Sequence, residues 1–83
     1  MFIHIGNNNT VLTKEIIAIL DKDTVESSEI TRNFVEGFFE NNLVLNSNVD
    51  NIKTYIIIET KGKKQGLYTS NISSQALCKR MNK

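Results

Sequence analysis

The chain has 83 residues, 40% of them hydrophobic and 23% charged, with a formal net charge of +1. These proportions exclude disorder, collagen and mucin-like stalks, because a disordered chain has fewer apolar groups and a larger net charge. A single Cys78 and a single His4 exclude an internal disulfide and a structural zinc site, and residues 1–83 are expected to form one domain.

No run approaches the roughly 18 apolar residues of a membrane helix, and the amino end lacks the basic and apolar regions of a secretory signal, so a cytoplasmic location is expected. A domain this short buries only about 60% of its unfolded surface, and self-association is the remaining common support once disulfide and metal are excluded. Charge is divided along the sequence. Residues 1–40 hold three basic against seven acidic groups, a net of −4, and residues 41–83 hold seven basic against two acidic groups, a net of +5. Such a division points to an anionic partner or to head-to-tail association.

Phe2 to Ile5 is short, apolar and β-branched, and Gly6 with Asn7, Asn8 and Asn9 forms a turn after it. Thr10 to Thr13 and Glu15 to Asp21 read as two extended stretches with Lys14 at the bend between them; the branched run Ile16 to Leu20 is one strand long. Ser27 and Ser28 suit a helix start. Behind them Ile30, Phe34, Val35 and Phe38 recur at i, i+4, i+5 and i+8, which predicts an amphipathic helix over about Glu29 to Asn41 with those four residues facing the core. Gly37 weakens that helix by about 1 kcal/mol relative to Ala, so a close packing partner is expected beside it.

Leu43 to Leu45 and a polar turn from Asn46 to Asn51 lead to a strand from Lys53 to Thr60. The turn Lys61 to Gly66 joins it to Leu67 to Ser70 as a hairpin. Ser73 caps a short terminal helix with Ile72 stapled onto Leu77; Leu77 and Met81 face inward, and Gln75, Lys79 and Lys83 form an outer row. In the central strand Ile56 and Ile58 point to one side, and Tyr55 and Ile57 to the other. The expected fold is α+β: a small antiparallel sheet of four to five strands with one amphipathic helix and a short C-terminal helix. Two helices cover only one face of such a sheet, so the other is expected to meet a further copy of the chain.

No residue set resembles catalytic machinery or a cofactor site, and no small-molecule substrate is evident. His4 alternates with Ile3 and Ile5 without a partner to orient it, Cys78 reads as a small filler, and Ser73 and Ser74 are accounted for by capping. The turn around Gly62 lacks the spacing of a phosphate loop. Lys14, Lys53 and Lys61 to Lys64 fall at bends and strand ends, where ammonium groups reach phosphate oxygens. There is no recognition-helix signature, zinc finger or aromatic RNA platform.

Met1-Phe2-Ile3-His4-Ile5-Gly6, the run Thr13 to Asp21, Lys53-Thr54 ahead of the isoleucines, and Leu67 to Ser74 with Leu77, Lys79 and Arg80 resemble the bacterial RemA/RemB extracellular-matrix (biofilm) regulators. The resemblance extends over nearly the whole chain and is closest to the RemB-like branch. It implies an α+β protomer that assembles into a ring-like homo-oligomer and, in the RemA branch, binds repeated DNA elements to activate matrix operons. It also implies phosphate contacts from Lys14, at the position of a DNA-contacting arginine, and from Lys53, in the basic cluster before the central strand. An arginine pair used by RemA-like proteins stands here as Asp50-Asn51. The expected function is therefore a non-enzymatic, homo-oligomeric DNA-binding transcriptional regulator. The alternative is an oligomeric structural or interaction protein of the same family without DNA binding.

Overall fold

The computed structural model describes residues 1–46 and 49–82. Five strands and three helices follow in the order β1 (Phe2–Gly6), β2 (Asn9–Leu12), β3 (Ile16–Asp21), α1 (Lys22–Ser27), α2 (Glu29–Glu40), β4 (Thr54–Glu59), β5 (Gln65–Ser70) and α3 (Ser74–Met81). The α+β class and antiparallel pairing agree with the sequence. The strands do not form the one sheet of four to five strands expected: β1 pairs with β2, and β3, β4 and β5 make a separate three-stranded sheet in that order.

In the three-stranded sheet Asp21 pairs with Thr54 and Ile16 with Ile58, while β4 pairs with β5 from Thr54↔Ser70 to Glu59↔Gln65. Alternation then divides the isoleucines as expected. Ile56 and Ile58 join Ile3, Ile5, Val11 and Leu77 in one cluster, and Ile57 joins Val25, Val35, Phe38 and Leu67 in a second, with Tyr55 packed against it. The first face is covered by the small sheet and α3, and the second by α1 and α2. Ile56 and Ile57 are both 0% exposed within a single copy. The expectation that one face stays bare until another subunit covers it is therefore overturned. The amino-terminal hairpin, counted in the sequence as more sheet, instead folds over that face as a layer. Ser70 fixes it there, its buried hydroxyl donating to the Ile5 carbonyl at 2.7 Å and accepting from the Ile72 amide at 3.0 Å.

Local chemistry sets the boundaries. Asn7 and Asn8 take left-handed conformations at φ 50° and 63°, which Asn tolerates better than most residues, and close the first hairpin. Thr13 leaves the expected strand and begins a 3₁₀ turn, Thr13–Glu15. Helix α1 has no counterpart in the sequence reading; its one buried residue is Val25, too little periodicity to signal six helical residues. The Ser28 hydroxyl accepts from the Thr31 amide at 3.3 Å and starts α2. At its other end Asn42 sits at φ 57°, and the Asn42 and Leu43 amides donate to the Phe39 and Phe38 carbonyls, the pattern of a Schellman stop.

The expected stripe on α2 is split. Val35 and Phe38 are buried, whereas Ile30 is 84% and Phe34 50% exposed, because the inward direction of the helix lies between Val35 and Phe38 and leaves the other two on its flank. Gly37 has no packing partner among the described residues: a methyl group there would meet none of them within 4 Å. Beyond α2 the chain runs along the outer edge of β5, with the Leu67 amide donating to Leu43 and the Leu45 amide to Leu67. The Asn46 side chain continues this pairing by accepting from the Thr69 amide and donating to its carbonyl, both at 2.8 Å. Edge groups that would otherwise recruit another strand are thereby occupied. Part of the expected turn Asn46 to Asn51, at Ser47 and Asn48, and the expected outer position Lys83 lie outside the described residues.

Candidate nucleic-acid interface

Lys14 occupies the middle of the 3₁₀ turn between β2 and β3. The turn is anchored because the Met1 carbonyl accepts from both the Thr13 amide at 2.9 Å and the Thr13 hydroxyl at 3.1 Å. The Lys14 side chain is exposed. It borders a shallow hollow of about 340 Å³ together with Glu15, Glu59, Thr60 and Lys61. Lys63 and Lys64 follow in the β4–β5 connection, which is closed by hydrogen bonds between Thr60 and the Lys63 and Lys64 backbones. The bend foreseen in the sequence thus lies beside the hairpin tip, and four lysines meet two glutamates at this end of the sheet.

Lys53 lies at the other end. Its amide donates to the Ser70 carbonyl at 2.8 Å and its carbonyl accepts from the Lys22 amide at 2.9 Å, so its backbone is held between the end of β5 and the start of α1. Its exposed side chain borders an open cleft of about 460 Å³ shared with Asp21, Lys22, Asp23, Asn51, Ile52 and Ser73. Lys22 is a cation that sequence reasoning missed, since only the β3–β4 register reveals that it sits beside Lys53. The structure does not bring Lys14 and Lys53 together. Antiparallel pairing sends them to opposite ends of β4, about 20 Å apart at about 3.4 Å per residue.

Neither lysine has an ion-pair partner among the described residues, where the ion pair formed is Arg32–Glu36 at 4.0 Å. The surroundings differ: Lys14 shares its hollow with Lys61, Glu15 and Glu59 beside the Lys63–Lys64 tip, whereas Lys53 shares its cleft with Lys22, Asp21 and Asp23, and Asp50 precedes it closely in the sequence. Asp50 and Asn51 are both exposed, and Asn51 adopts φ 56°. That left-handed turn suits Asn better than Arg.

Residues 2–81 match the family model described as RemA-like, extracellular matrix regulatory protein A-like. The chain belongs to the RemA-like family. Among curated proteins none matches it.

His4 is exposed on β1, and its carbonyl accepts from the Arg80 guanidinium at 2.5 Å. Cys78 is exposed on α3. The Ser73 hydroxyl accepts from the Ala76 amide at 3.2 Å as the helix cap, and the Ser74 hydroxyl donates to Asp21. Among the described residues no group of three or more His, Cys, Asp or Glu could hold a metal ion, and no helix is long and apolar enough to cross a membrane. Tyr55, packed over α1, has its pKa raised above the ordinary 10.0 by burial and then by the charge of Glu26.

Proposed function

We propose that this member of the matrix-regulator family is a cytoplasmic, non-enzymatic regulator that binds DNA as a homo-oligomer, through phosphate contacts from Lys14 and Lys53. The amino-terminal Met-Phe-Ile-His pattern supports assignment to the RemB-like branch. The observation that carries the reading is the cationic end of the three-stranded sheet, where Lys14 stands beside Lys61 and the hairpin tip without an ion-pair partner among the described residues. One copy has too few phosphate contacts for tight binding, since each is lost to competing cations as salt rises. Repetition in an assembly makes later contacts intramolecular and raises avidity by about 10² to 10⁴.

Mobility-shift titrations on AT-rich and random duplexes across a salt series test this reading. Affinity should fall steeply with salt, and Lys14→Ala should reduce the slope of log K against log salt by about 0.9 for each contact removed. Absence of binding at low salt by an intact assembly would refute it. That outcome would favour a second reading, an interaction protein of the same family without DNA binding. The carboxylates around Lys53 support this alternative, because every copy would repeat their repulsion toward phosphate.

A further inference from the structure

One flank of α2 carries an exposed apolar line. Ile30, Phe34 and Gly37 recur at i, i+4 and i+7 and therefore lie along one flank of the helix. Ile30 and Phe34 are the exposed side chains already described, the Phe34 ring standing T-shaped against Phe38, and at Gly37 no neighbour among the described residues explains the absence of a side chain. Bare backbone on an exposed apolar line permits close approach by another chain. The surrounding layer is acidic: α1 and α2 hold Asp23, Glu26, Glu29, Glu36 and Glu40 against Lys22 and Arg32.

The opposite side of the molecule has the complementary character. There β1 exposes Phe2 at 65%, next to Met1 at 67%. These residues border a hollow of about 460 Å³ with Ile3, His4 and Arg80. No acidic residue occurs in β1, β2 or α3, whereas the last turn of α3 carries Lys79 and Arg80.

We infer that these two faces form one interface between copies of the chain, with Ile30 and Phe34 of one copy seated in the Phe2–Arg80 hollow of the next. The inference rests on the homo-oligomer reading above and supplies its contact surfaces. Packing α2 against α2 would set glutamates against glutamates, whereas head-to-tail packing sets them against Lys79 and Arg80, and such complementarity selects the partner. The contact is heterologous. It leaves one unused face at each end and continues until a ring closes or a filament grows.

Light scattering coupled to size exclusion, applied to the full chain with circular dichroism as the folding control, tests this interface. The unaltered chain should assemble, and Ile30→Asp and Phe2→Asp should each run as a folded monomer. Mixing the two variants in equal amounts should give a 1:1 pair and nothing larger, because Ile30→Asp retains the hollow and Phe2→Asp retains the helix face. If Phe2→Asp loses its fold, Lys79→Glu takes its place and should weaken assembly at the same contact. A monomeric unaltered chain at micromolar concentration would overturn the homo-oligomer reading and the interface with it. An assembly that keeps its mass in the folded variants, or a variant mixture that stays monomeric, would overturn the interface alone.

Discussion

Replacing Gly37 by Ala separates the stability of the fold from the stability of the assembly. In a helix, glycine is less favourable than alanine by about 0.5–1 kcal/mol, mainly because its backbone loses more freedom on ordering. The added methyl group meets nothing within 4 Å, so no steric penalty opposes that gain. For a domain of this size the gain corresponds to a rise in melting temperature of about 3–6 °C. It should be measured in the Ile30→Asp background, where self-association does not contribute to apparent stability. In the otherwise unaltered chain the same methyl group stands on the line where a neighbour must approach, so assembly should weaken while the fold strengthens. Urea or thermal melts followed by circular dichroism read the first effect, and light scattering the second. A loss of stability in the monomeric background would refute the claim that Gly37 has no packing role within the chain. A more stable fold with undiminished assembly would refute its place in the interface.

Ser70→Ala should destabilise the fold by about 1–3 kcal/mol in urea unfolding, because it leaves the Ile5 carbonyl and Ile72 amide without their buried partner. Asp50→Arg should strengthen duplex binding and steepen the salt slope by about 0.9 for each new phosphate contact in mobility-shift titrations. Tyr55 holds its proton more tightly folded than unfolded, so its contribution to stability is full below pH 10.0 and is lost as pH rises through the higher folded pKa. Urea melts across that alkaline range should show a smaller decline for Tyr55→Phe than for the unaltered chain.

The parts of the fold that local chemistry dictates were legible in the sequence. The cap at Ser73, the β4–β5 hairpin, the bend at Lys14 and the two-sided division of the central isoleucines all follow from interactions within a few residues. What escaped depends on contacts between distant segments. Nothing near Ile3 and Ile5 indicates that they will lie over Ile56 and Ile58, so the local pattern extends the sheet through the hairpin and gives no sign of its covering role. Ile30 and Phe34 fit a core stripe by spacing, but the angle at which α2 meets Ile57 and Leu67 centres the buried arc on Val35 and Phe38. The candidate site divides in the same way. Exposure of Lys14 and Lys53 follows from their place at bends, whereas their separation follows from the β3–β4 register, which also brings Lys22 beside Lys53.

That separation has a geometric consequence for any assembly built by seating α2 on the β1 and α3 side of a neighbour. Successive copies would then stack across their strands, and each end of β4 would recur along its own rim. The lysine-rich tips would line one rim, and Lys53 with its carboxylate neighbours the other. Such a particle would turn two unlike rims away from each other, so the lysine-rich tips of successive copies would repeat along one side only.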